Sequence, residues 1–184
     1  MPNARVGVRL GPPDDVTAWI AQGAAFDAAG ADTLWLDLRE HPDLDPYVLT
    51  AALAAVTYRS RLVLRPAEVD AGGSKESTLA AVCRGRLVLA VEEATPVDEA
   101  ITAYDEAGGG AGNEAADEGS EEGGARRWEA VEFPDGRAAW RAALTEAGER
   151  GVHGLIVPAD PRLLDLLRNP DEEIDRRDLQ LASG

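Results

Sequence analysis

The chain has a single cysteine, Cys83, and a single lysine, Lys75, among 18 basic residues. One thiol excludes an internal disulfide and a metal site built from several thiolates. No apolar run approaches the roughly 20 residues of a membrane-spanning helix. The opening stretch, MPNARVGVRLGPP, lacks the apolar core of a signal peptide, so a cytoplasmic protein with no membrane partner is expected. Basic clusters are missing too. Between Arg86 and Arg126 there is no Lys or Arg but there are eleven acidic residues, which account for all but five of the sixteen net negative charges. A nucleic acid needs a basic footprint that displaces its counterions, so no nucleic-acid partner is expected. Walker-type loops, nucleophile elbows and zinc-ligand spacings are absent as well.

What remains is material for one core. Hydrophobic residues make up 45% of 184 residues, enough for a single domain over 1–184. The alternating run Arg5 to Leu10 predicts a strand, followed by a helix with Val16, Trp19, Ile20, Gly23 and Phe26 on one stripe. Asp14 or Asp15 caps that helix and Gly30 stops it. Thr33 to Leu36 reads as a buried strand. Asp45 and Pro46 open a second helix with Leu49, Ala52, Leu53 and Val56 inward. Strands at 61–64 and 85–91 flank a short helix at 75–83, and a weaker helix is expected at 96–106. Residues 107–125 contain no apolar side chain larger than Ala, which predicts a flexible acidic insertion. Beyond it come an edge or barrel-capping strand at 127–133 and a helix with Trp140, Ala143, Leu144 and Ala147. A buried strand at 155–157 and a helix carrying Leu163, Leu164 and Leu167 complete the pattern. Segments 14–56 and 135–168 share one grammar of helix, glycine, strand, loop, Asp-Pro and helix, which is that of repeated βα units with parallel strands.

The run from Gly30 to Leu64, GADTLWLDLREHPDLDPYVLTAALAAVTYRSRLVL, resembles the N-terminal part of the luciferase-like flavin monooxygenases. The shared pattern is a helix ending in glycine, a strand of the type slW, a Glu-His loop, a P-x-V helix and a strand of the type R-L-x-L. Further on, CRGRLVLAV is similar to that family's S-x-G-R-F-x-L-G-x segment, with Cys83 at the Ser position and Gly85 and Arg86 matching. The likeness spans roughly residues 5 to 92, and GLIVPADPRLLDLL suits a late βα unit. It implies an α/β fold, namely a trimmed TIM-type (β/α) barrel of about five or six mostly parallel strands, since a full barrel needs roughly 250 residues. It also implies a flavin-linked oxidoreductase or monooxygenase using FMN or the deazaflavin coenzyme.

Barrel enzymes place their chemistry where the strands end. His41 follows such an end, matches the family's Glu-His loop and has the near-neutral imidazole of a general base, with Glu40 beside it. Arg39 and Arg65 are the cations for a cofactor phosphate, and Asp37 directly follows the second strand. Read structurally, His41 is a solvated loop residue before Pro42, and Asp37, Glu40, Glu68, Glu92, Glu93 and Asp160 are caps and loop carboxylates. Two other functions stay open. One is a carboxylate-bound divalent-metal site with His41. The other is a non-catalytic barrel acting as a partner subunit, favoured by the acidic rim and by Ala90, Val91 and Glu92 where the family has a glycine-bearing exit. A shortened barrel would expose strand edges, so a homodimer or a complex with a full-length relative is expected. Cys83 reads as a buried small residue, His153 as structural and Trp128 as half-exposed.

Overall fold

The computed structural model describes residues 4–36, 38, 43–64, 74–92, 100–104 and 126–169. Among these residues, seven strands follow one another around a closed wall: β1 (Arg5–Leu10), β2 (Thr33–Leu36), β3 (Arg61–Leu64), β4 (Leu87–Glu92), β5 (Ala100–Tyr104), β6 (Arg126–Ala130) and β7 (Gly154–Pro158), which pairs back onto β1. Six strands are parallel, and β5 is antiparallel to both its neighbours. The expected trimmed α/β barrel is therefore the fold. Two expectations are corrected. The helix expected at 96–106 gives way to β5, and the presumed edge strand near 127–133 is β6, paired on both sides. The reversal has a simple cause. Only residues 93–99 separate β4 from β5, too few for a helical crossover between parallel strands. Because the wall closes, the described strands leave no unpaired edge, which removes the edge argument for a dimer.

Among the described residues, five helices cover the barrel: α1 (Val16–Ala29), α2 (Pro46–Val56), α3 (Ser74–Cys83), α4 (Gly136–Glu149) and α5 (Pro161–Arg168). Their starts follow the sequence. Asp15 accepts from Ala18 N at 2.8 Å, Asp45 from Tyr47 N at 2.8 Å and Asp160 from Arg162 N at 2.8 Å, while Pro46 and Pro161 occupy first-turn positions that need no donor. Gly30, at φ 102°, ends α1 in the left-handed conformation that a side chain would disfavour. α1 packs on α2 and α5, α2 on α3, and α4 on β7.

Strand alternation divides the core into two layers. Outward residues Val8, Leu10, Leu34, Leu36, Leu62, Leu64 and Val157 pack under helix residues such as Phe26, Leu53, Leu79 and Leu163. Inward residues Trp35, Val63, Val88, Trp128 and Ile156 fill the barrel. Trp128 is thus buried, not half-exposed. The two indoles meet edge to face at 5.5 Å, a favoured aromatic geometry. Glycines make room for them. A Cβ on Gly7 would lie 2.6 Å from both Thr33 Oγ1 and Trp35 Nε1, and one on Gly154 would run into the Trp128 ring.

A buried carboxylate and a half-buried guanidinium hold the α2–β3 connection. Asp27, near the end of α1, accepts from the backbone N–H groups of Tyr58 (3.0 Å), Arg59 (2.9 Å) and Ser60 (2.6 Å). Arg86 donates to Ala54 O (3.1 Å) in the last turn of α2, to the Thr57 hydroxyl (2.9 Å) at its C-cap and to Ser60 O (3.0 Å) just before β3, so its charge sits at the C-terminal end of that helix. Arg86 of the Gly-Arg pair noted in the sequence therefore has an architectural role.

Candidate functional sites at the two barrel mouths

The parallel strands end at one mouth, where the sequence places its candidate chemistry. β2 and β3 finish side by side, Leu36 in register with Leu64. Asp37, Arg39, Glu40 and His41 follow β2 in the chain, and Arg65 follows β3; all five lie outside the described residues, as do Glu68 and Glu93. Leu38, within the same stretch, is buried in the outer layer. β1 contributes a residue that sequence reasoning missed. Arg9 shares the inward parity of Gly7 and is in register with Trp35 on one side and Pro158 on the other. Arg9, a half-buried residue, therefore belongs to the inner wall toward this mouth, a cation beyond the two that the sequence singled out. The signal was available in RVGVRL, where Arg9 lies two residues from Gly7 and four from Arg5.

Asp160, another strand-exit carboxylate, caps α5 and pairs with Arg162 at 2.7 Å. Those bonds hold its carboxyl below the usual carboxylate range. The same guanidinium lies 4.5 Å from the centre of the Phe133 ring. Asp160 thus serves the helix start. Among the described residues, no three His, Cys, Asp or Glu side chains gather as metal ligands. Cys83 is fully buried, and burial raises its thiol above the ordinary value, with Arg86 opposing only in part, so it is a packed and unreactive thiol.

The opposite mouth, where the parallel strands begin, carries a cluster that the sequence did not announce. Arg5, Thr33, Arg61 and Arg126 are the first residues of β1, β2, β3 and β6, and His153 directly precedes β7. Together with Val63, Val88 and Trp128 they line a cavity of about 20 Å³. Each of these four strands enters with its first residue on the inward parity, so three arginines converge on one opening. His153 is fixed by its backbone: its carbonyl accepts from Arg5 N at 3.0 Å and its N–H donates to Arg127 O at 2.9 Å. Its ring stands edge to face against Trp128 at 5.3 Å. Burial first, then the positive charges of Arg126 and Arg5, lower its pKa to about 4, with Asp32 opposing and Arg61 adding to the effect. His153 is therefore a neutral imidazole at pH 7. Asp32 is oriented by its own bond, accepting from Val6 N at 2.9 Å.

No family model and no curated protein matches the chain. Among solved structures, the crystal structure of riboflavin lyase (RcaE), with modified FMN and the substrate riboflavin, is weakly similar. It has a TM-score of 0.40 and 17% sequence identity, and the match covers 48% of this chain and 29% of that one.

Proposed function

We propose that the chain is a luciferase-like, flavin-linked oxidoreductase that takes FMN or the deazaflavin coenzyme at the mouth where its parallel strands end. The observation that carries this reading is the neighbouring pair of strand ends, Leu36 beside Leu64. The segment Asp37 to His41 follows one of them and Arg65 the other, in a fold whose enzymes keep their chemistry at that end. The element order of the described residues from β1 to β4 also follows the order in which the family pattern runs through the sequence.

The donor set suits a phosphate-bearing ring system. Arg39 and Arg65 offer guanidinium groups, which pair with phosphate in a bidentate fork. His41 is the proton acceptor, with Glu40 adjacent to orient it and Asp37 available to a polar edge of the cofactor. The flavin, when bound, supplies the electron-transfer chemistry.

The test is thermal unfolding with and without FMN and the deazaflavin coenzyme. Binding at a hundredfold excess over Kd stabilises the folded state by about 2.7 kcal/mol. For a domain of this size that is a rise of roughly 5–10 °C in Tm. No rise with either coenzyme at millimolar concentration would remove the flavin reading.

A further inference from the structure

We propose that the mouth where the parallel strands begin is a binding site for a small oxyanion, a phosphate or a carboxylate, whose oxygen enters the cavity between Arg5, Arg61, Arg126 and His153. This site lies at the other end of the barrel from the flavin mouth and stands independently of the flavin reading.

Three observations carry it. The first is charge. In a chain of net charge −16, three guanidinium groups from three separate strands line one opening. Among the described residues, Asp32 is the acid that acts on His153 there. Like charges so gathered repel one another, and an anion relieves that repulsion while gaining charge-assisted hydrogen bonds. The second is space. A volume of about 20 Å³ admits one water-sized group, which is what a single phosphate or carboxylate oxygen is. The third is donor chemistry. Thr33 Oγ1 already accepts from Trp35 Nε1 at 2.7 Å, so its own hydrogen is directed elsewhere. The neutral imidazole of His153 has one N–H to donate. Thr33 and His153 are fixed by the barrel wall and by Trp128, so little ordering cost falls on them when an anion enters. The remaining lining, Val63, Val88 and Trp128, is apolar and lowers the local dielectric, which strengthens each of these bonds.

Among the described residues, the charged groups that act on His153 are Arg5 from β1, Asp32 just before β2, Arg61 from β3 and Arg126 from β6. An anion seated among them favours the imidazolium, so binding reports on the histidine directly. The chain has two histidines, and His41→Gln leaves His153 as the one imidazole signal.

The experiment is a titration at pH 7 of the full chain carrying His41→Gln, followed by the ring nitrogens of His153 and the Nε–H groups of the arginines in NMR spectra. Inorganic phosphate is added in one arm and acetate in another, with chloride at matched ionic strength as control. The expected result is a saturable shift of His153, Arg5 and Arg126 with both oxyanions, phosphate binding more tightly for its second charge. Removing one guanidinium by Arg5→Gln or Arg126→Gln is expected to weaken binding at least about tenfold. Arg127→Gln, which alters the outward side of β6 where Arg127 pairs with Glu129 at 3.2 Å, is expected to change it less than about twofold. Retention of the ring-current shift between His153 and Trp128 shows that each variant is folded. Arg5→Lys, which keeps the charge and loses the fork, should fall between wild type and Arg5→Gln. A shift that does not saturate, that chloride reproduces, or that survives in both Arg5→Gln and Arg126→Gln overturns the proposal.

Discussion

Asp27 carries more structure than its place on a helix surface announces. It is 4% exposed and accepts three backbone N–H groups that the turn into β3 would otherwise leave without partners. Burial alone would raise its pKa, but the bonds from Ser60, Tyr58 and Arg59 outweigh that and lower it. A depressed carboxylate stabilises the fold above its unfolded value of 3.8, and that contribution is lost as pH falls through the folded value. Asp27→Asn, which puts an NH₂ where an acceptor stood, is expected to cost about 1–3 kcal/mol at pH 7. The difference from wild type should shrink in acid, as urea melts at neutral pH and near pH 3 would show. His153 works in the same direction at milder pH. It is neutral in the fold with a pKa of about 4 against 6.5, so its contribution is complete above 6.5 and declines as pH falls toward 4.

Gly154 tests the barrel filling. A Cβ there would lie 2.6 Å from Trp128 Cε3, so Gly154→Ala should destabilise by about 1–3 kcal/mol through overpacking. Trp128→Phe in the same chain should recover part of that loss, a coupling that a double-mutant cycle of urea melts measures.

At the scale of elements, the helices were legible because their signals are local. Asp45 and Asp160, each before a proline, are caps that a sequence shows outright, the structure chooses Asp15 over Asp14 for α1, and Trp19, Phe26, Leu49 and Leu53 repeat at helical spacing and are buried. β5 was not legible. Its sequence, AITAY, is flanked by Glu and Ala, which favour helix locally. Its strand state depends on β4 and β6, the second more than 20 residues away in the chain. Tertiary pairing overrode local propensity. The same pairing locates the acidic insertion, since Ala103 is in register with Arg126 and residues 107–125 lie in the connection between two adjacent strands. Replacing them with a short Gly-Ser linker is expected to leave stability within about 1–2 kcal/mol of wild type, because loop closure costs roughly 0.6 kcal/mol per doubling of length. A loss of several kcal/mol in urea melts would mean that the insertion takes part in the fold.

For the whole molecule, the barrel closes with fewer residues than a full (β/α) barrel because a reversed strand replaces helical crossovers between β4 and β6. The family resemblance and the length of the chain pointed to a trimmed barrel, yet nothing in one chain's local pattern says whether a shortened wall stays open or shuts. The site was legible to the same degree. His41 with its neighbours stood out by motif, whereas Arg5, Arg61 and Arg126 look like ordinary strand flanks until closure brings them to one opening. Closure also separates the two proposed sites, one at each mouth, so each can fail without the other.

The most direct measurement of the central claim is a fluorescence titration of FMN and riboflavin against the wild-type chain, Arg39→Gln/Arg65→Gln and Arg5→Gln/Arg126→Gln. The account predicts saturable binding of FMN, at least about tenfold tighter than riboflavin because of the phosphate. That preference should be lost in Arg39→Gln/Arg65→Gln and kept in Arg5→Gln/Arg126→Gln. No binding of either flavin, or an FMN preference that only Arg5→Gln/Arg126→Gln abolishes, would contradict it.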